Sequence, residues 1–226
     1  MVDPHYEKLL ETWKPRGRCF IEDGIIDDDR WHSADPKVLL LLKEARHEGT
    51  GTWDLRRHLR EEDPTNTWQK SAYWCYAVQG VKSGSLRCLP FSNMPERKAE
   101  YEKAVEALRA SAIVNIKKID GKETSDNEDI RKHAERNRHL IKQQIELIKP
   151  DLVICGNTWR FVENWWDKKE IEKIYDGVYR VGQHQRVFID FWHPAYRISE
   201  DLKYYALAAM VHFSHALAKR ALPVAA

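Results

Sequence analysis

Cysteine is sparse in this chain of 226 residues, and the four present, Cys19, Cys75, Cys88 and Cys155, are scattered. None stands in a C-x-x-C pair, so the spacing writes neither a disulfide framework nor a zinc site, and four free thiols in a reducing compartment are expected. Long apolar runs are also missing. The longest, Val38 to Leu42, falls far short of the roughly 20 residues needed to cross a bilayer. The opening MVDPHYEKLL is charged and lacks the apolar segment of a secretory leader, so a cytoplasmic location is expected. Charge of one sign is not in excess either: 37 Lys+Arg against 35 Asp+Glu leave a net +2. That excludes a polybasic nucleic-acid scaffold and an acidic chaperone, and any nucleic-acid site has to be a local patch. With no internal repeat, low-complexity tract or Gly/Ser linker, residues 1–226 read as one domain.

Aromatic residues, by contrast, are plentiful: nine Trp, nine Tyr and six Phe. Disordered chains are poor in aromatics, so a folded core is expected. Composition alone leaves open whether the rings serve core, interface or a platform for bases.

Four segments read as buried strands: Lys37–Lys43, Ser111–Ile116, Asp151–Cys155 and Val187–Phe191. Their apolar residues run continuously rather than alternating, which suits a parallel sheet covered on both faces. Tyr175–Val181 adds a small strand or hairpin before the fourth. The acidic stretch Glu22–Asp29 reads as a loop. Helices are expected from Asp63-Pro64 to about Val78, over Glu96–Arg109, Asp126–Lys149 and Asn157–Trp166, and from Ser199 to about Ala221. In the third, Ser125-x-x-Glu128 forms a capping box, and Ile130, Ala134, Ile141, Ile145 and Ile148 make one buried stripe. The alternation predicts an α/β fold, a three-layer sandwich with a central four-stranded parallel sheet. Ligands of such sheets bind beyond the carboxyl ends of the strands, so the residues just after each strand carry the functional information.

After the first strand comes Lys43-Glu44-Ala45-Arg46-His47, then Gly49–Trp53. A carboxylate at this exit, Glu44, can hold a water or oppose a developing cation, and the glycines allow close backbone approach. The same residues fit a surface salt bridge beside a flexible loop. Asn115, at the end of the second strand, has the donors and acceptor to read a base edge, or simply closes a turn. After the fourth strand comes His193-Pro194-Ala195-Tyr196-Arg197. An imidazole there can donate to a leaving-group oxygen, Tyr196 can stack and Arg197 can meet a phosphate. A structural His-Pro turn is the plainer alternative. His212 and His215 have helical i, i+3 spacing but no third metal ligand beside them, and no metal site is expected.

Taken together, these pieces resemble the uracil-DNA glycosylase superfamily. The similarity is strongest over Ser111–Thr158, where a strand ends in Asn115 and basic residues, a long helix follows, and Ile148-Lys149-Pro150-Asp151-Leu152-Val153-Ile154-Cys155-Gly156 fits the family's L-x-P-x-V-V-x-x-G pattern. Glu44-Ala45 stands where the family has G-E-A-P-G, with Lys43 in place of the first Gly and Arg46-His47 in place of Pro-Gly. His193-Pro194-Ala195 stands for the family's H-P-S, followed by Tyr196 as in the iron–sulfur branch, whose cluster cysteines do not match here. The resemblance runs from about Lys37 to Arg197. It leaves a helical insertion, at about 54–110, without a counterpart.

The resemblance implies a monofunctional, cytoplasmic DNA-repair hydrolase. Such an enzyme flips a damaged base, uracil first among the candidates, and cuts its N-glycosidic bond without metal or cofactor. It implies catalytic roles for Glu44, opposing the sugar's positive charge, and His193, donating to the leaving base. It implies substrate contacts from Asn115, Trp53, Ala45 and Gly156, and nucleic-acid contacts from Lys43, Arg46, His47, Lys117, Tyr196 and Arg197. The partner would be DNA, single-stranded or damaged, and the protein a monomer. A glycosylase-fold binding module without catalysis, or another small-molecule enzyme on a doubly wound sheet, are the alternatives.

Overall fold

The four apolar runs become four adjacent parallel strands, but the sheet they belong to is larger than expected. The computed structural model describes residues 4–14, 19–47, 49, 51–82, 85–86, 91, 98–119 and 121–220. The chain starts with α1 (Pro4–Trp13), β1 (Phe20–Glu22), β2 (Gly24–Ile25), α2 (Asp28–Ser33) and β3 (Val38–Glu44). It continues through β4 (Thr52–Asp54), α3 (Leu55–Glu61), α4 (Thr67–Gln79), β5 (Val81–Lys82), β6 (Ser85–Leu86) and α5 (Lys98–Arg109). Then come β7 (Ala112–Lys117), α6 (Asn127–Ile148), β8 (Leu152–Gly156), α7 (Trp159–Val162), β9 (Ile171–Tyr175), β10 (Val178–Val181), β11 (Arg186–Phe191) and α8 (Glu200–Arg220).

The main sheet is seven-stranded and mixed, in the order β2-β7-β3-β8-β11-β10-β9. Its centre, β7-β3-β8-β11, is parallel, while β2 joins one edge antiparallel and β10 and β9 extend the other. The expected four-stranded sheet is thus corrected to a seven-stranded mixed one. β2 is only two residues long and sits in the acidic stretch read as a loop. β9 and β10 are the small hairpin anticipated before the fourth strand.

Continuous apolar runs follow from helices on both faces. Leu39 and Leu41 of β3 join the cluster containing Ile130, Ile141 and Ile145 of α6, whereas Leu40 and Leu42 join Trp74 and Ala77 of α4, Leu108 of α5 and Leu207 of α8. The insertion, together with α8, therefore forms one layer over the sheet. It does not hang over the strand ends as an accessory.

Several boundaries differ from the sequence reading. The helix expected at Asp63 starts at Thr67, because Asn66 lies in the left-handed region at φ 47. Residues 55–61 form a separate helix whose first turn is capped by Asp54, which accepts from Arg56 N at 2.9 Å. Asp126, not Ser125, caps α6: its carboxylate accepts from Glu128 N at 2.9 Å, leaving no role for the Ser125 box. The helix of 157–166 is shorter, Trp159–Val162 followed by a 3-10 turn. Cys19, Cys75 and Cys155 are free thiols, and Cys88 lies outside the described residues. Among the described residues no helix is long and apolar enough to cross a membrane.

Candidate active site

Parallel strands share one carboxyl edge, so the ends of β7, β3, β8 and β11 bring Lys117, Glu44, Gly156 and His193 to the same side of the sheet. Adjacent strands are spaced by about 5 Å, which puts the ends of β3 and β11 about 10 Å apart. The chain leaves β3 for β7 on one side and returns to β8 on the other, so β3 and β8 flank the switch point at which doubly wound sheets bind ligands.

Glu44 is the last residue of β3 and pairs in register with Lys117. Its carboxylate lies 3.0 Å from Lys117 Nζ, and the two side chains are only 4% and 5% exposed. Lys117 also contacts Asp129 Oδ2 at 2.8 Å. Burial alone lowers the Lys117 pKa, but Asp129 and Glu44 outweigh it and hold the ammonium above its ordinary value. Apart from the ion contact of Oε2 with Lys117, neither Glu44 oxygen has a hydrogen-bond partner among the described residues. Gly121 closes over this carboxylate. Its N–H donates to Ala45 O at 2.9 Å, and a Cβ there would lie 2.7 Å from that oxygen and 2.9 Å from Glu44 Cγ. Sequence reasoning missed Gly121, whose one signal is that it stands alone among polar residues.

His193 follows β11. Burial first, then the charges of Lys43 and Lys203, depress its pKa to about 4. At neutral pH the imidazole is therefore uncharged. The backbone N–H of Ala195 donates to Nδ1 at 3.2 Å, which places the proton on Nε2 and leaves that nitrogen as a donor. The loop is held from below by Lys203 of α8, wholly buried, whose ammonium donates to Pro194 O at 2.9 Å, Tyr196 O at 3.0 Å and Glu200 Oε1 at 2.7 Å. No motif marked Lys203 beforehand.

Gly156 sits between β3 and this loop. A Cβ there would come within 2.6 Å of Leu42 Cδ2 and 3.4 Å of Pro194 Cδ. Its glycine character serves close packing of three strand ends. Thr158 Oγ1 donates to Leu41 O at 2.8 Å and ties the next turn to β3.

Other candidates stand differently from the sequence reading. Asn115 is two residues short of the end of β7 and fully buried. Its backbone N–H and its Nδ2 donate to Asp23 Oδ2 at 2.7 and 3.1 Å, while its Oδ1 is buried with no hydrogen-bond partner among the described residues, and burial under the sheet edge closes the amide to a base. Lys118 is likewise buried on Asp23. Trp53 lies on β4, half-buried, with one face stacked on His47 at 4.6 Å and 6°. Gly49 makes room for that imidazole rather than for a ligand, since a Cβ would lie 2.2 Å from His47 Nε2. Ala45 is buried, and Lys117 is neutralised by two carboxylates, which removes it from a phosphate-binding rim. Arg46, Tyr196 and Arg197 are exposed. Trp192 is exposed beside Phe191, whereas Trp31, Trp74, Trp159 and Trp165 are core.

A cavity of about 1180 Å³ is lined by Asp35, Pro36 and Ala110 at the opposite, amino edge of the sheet. No family model matches the chain, and a search of curated proteins finds no match.

Proposed function

We propose that this protein hydrolyses the N-glycosidic bond of a damaged base in DNA, with uracil the first base to test. The observation that carries the reading is the pairing, on one sheet edge, of a neutral imidazole whose Nε2–H is free to donate with a buried carboxylate that keeps one oxygen unbonded. Departure of a base leaves positive charge on the sugar and negative charge on the base. Glu44 opposes the first and holds the attacking water; His193 donates to the second, a donor fixed in place before the reaction starts. In this scheme Gly156 and Trp53 contact the base, and Tyr196 and Arg197 meet the strand. Asn115 has no part in this scheme. The reading uses no metal and no cofactor.

The test is incubation with oligonucleotides containing uracil, hypoxanthine or xanthine, followed by alkaline cleavage at abasic sites. Strand scission with at least one base, lost in Glu44→Gln and His193→Gln, is the expected result. Absence of product with every base overturns it. A second reading, binding without cleavage, is favoured by the Glu44–Lys117 ion pair, which answers the carboxylate's charge internally. Retention of damaged oligonucleotides without scission would select it.

A further inference from the structure

Two cations at the carboxyl edge share one neutral acceptor. Lys43 Nζ and Arg160 Nη2 donate to Asn127 Oδ1 at 3.1 and 3.0 Å. Lys43 is only 8% exposed, yet no carboxylate stands within ion-pairing distance of it or of Arg160 among the described residues. A third cation joins them. The guanidinium groups of Arg160 and Arg131 both lie over the buried ring of Phe161, 4.9 and 5.6 Å from its centroid. Asn127 and Arg131 stand four residues apart on α6, one above the other on the same helix face, while Arg160 and Phe161 come from α7. Three separate elements thus bring positive charge together, and among the described residues none of the three cations makes an ion pair, although Glu44 and Asp190 act on Lys43 and Arg160 from farther off.

Such an arrangement is costly for a purely structural cluster. Like charges repel, and an amide oxygen offsets neither of them. The neighbouring Lys117 shows the contrast, since it is matched by Glu44 and Asp129. The first turn of α6 adds nothing of its own, because Asp126 already caps it. Burial, and then Arg160, lower the Lys43 pKa against a smaller opposing pull from Glu44, and Lys43, at the end of β3, is the member of the cluster whose charge reaches His193.

We infer that Lys43, Arg131 and Arg160 form a phosphate-binding subsite beside His193, with Asn127 aligning the first and last of them. A phosphate has several oxygens that can accept from all three cations while its negative charge relieves their mutual repulsion, and a guanidinium fork suits it geometrically. The subsite deepens the glycosylase reading by naming the group that anchors the substrate, and it rests on that reading only for the source of the phosphate. The phosphate belongs to a strand backbone or to a free mononucleotide. Exposure of Arg131 and Arg160 leaves the site open to a continuing strand.

The test uses the full chain with three probes: a fluorescein-labelled single-stranded deoxyoligonucleotide, thymidine 5′-monophosphate and inorganic phosphate. Binding is measured by anisotropy for the first and by calorimetry for the others, across a range of salt. Arg160→Gln and Arg131→Gln change exposed side chains and should fold. Each is expected to weaken the oligonucleotide and lower the slope of log K against log salt by about 1. Binding of the mononucleotide and phosphate alone, weakened by the same variants, also supports the site and assigns it to free nucleotides. Unchanged affinity and salt slope in both variants overturns it. Base excision is scored separately, so a chain that binds phosphate here but releases no base fails the functional reading and keeps the subsite.

Discussion

The ammonium of Lys203 and the carbonyl oxygen of Pro194 lie 2.9 Å apart, nine residues distant in sequence and fully buried. Through this bond, and a second to Tyr196 O, the last helix fixes the loop that carries His193. Lys203→Met keeps the aliphatic stem and removes the charge, leaving two carbonyl groups without donors. Glu200 retains Lys70, 3.1 Å away, so the loss falls mainly on the loop. A destabilisation of about 2 kcal/mol is expected from the lost charged hydrogen bonds. It should appear in urea unfolding, together with broadened His193 ring resonances in NMR spectra.

His193 gives a pH dependence of definite sign. Its folded-state pKa of about 4 lies below the unfolded value of about 6.5. The unfolded chain therefore binds the proton first as pH falls. The stability associated with the neutral ring is complete above about pH 6.5 and drains away on acidification toward pH 4, by at most about 3 kcal/mol. Unfolding free energies measured between pH 7 and 4.5 should fall less steeply in His193→Gln than in the parent. Equal slopes would count against the depressed pKa.

Glu44→Gln separates chemistry from folding. Lys117 keeps Asp129 at 2.8 Å, so removing the Glu44 charge leaves the ammonium paired. Stability should change by about 1 kcal/mol or less, the scale of an ordinary hydrogen bond. Base release, if Glu44 holds the water, should fall by at least about 100-fold. A variant as active as the parent would remove Glu44 from the mechanism.

Asp23 is the strongest structural prediction. Its carboxylate receives Lys118 Nζ, Gln144 Nε2 and both the backbone N–H and Nδ2 of Asn115, and its carbonyl receives Tyr6 O–H. Asp23→Ala strands a buried ammonium, at an expected cost of about 3–5 kcal/mol. The double variant Asp23→Ala, Lys118→Met should recover part of it. Both are read from denaturation midpoints.

What the chain revealed about itself follows the range of each interaction. The strands at Val38, Ala112, Leu152 and Arg186 were legible because burial on both faces forces unbroken apolar runs. The His193–Pro194 loop was legible because it follows such a run. Asp23 was not: it sits among Glu22, Asp27, Asp28 and Asp29, and nothing local distinguishes a buried acid from solvated ones. The burial of Asn115 was hidden for the same reason. Only the pairing of β2 with β7 closes that edge and brings Asp23, 92 residues away, against its amide. Lys203, Gly121 and Arg160 act through contacts made by the folded backbone, which no spacing rule anticipates. The Ser125 cap missed by one position, since Asp126 offers the same chemistry one residue later.

The helices inserted between β3 and β7 also bear on how far the chain can be shortened. They supply the packing surface for Leu40, Leu42 and Ile113. Trimming residues 55–110 to reach a minimal sheet would lay that face bare, turning the inside of a core into an adhesive exterior. A version without it should be found in inclusion bodies.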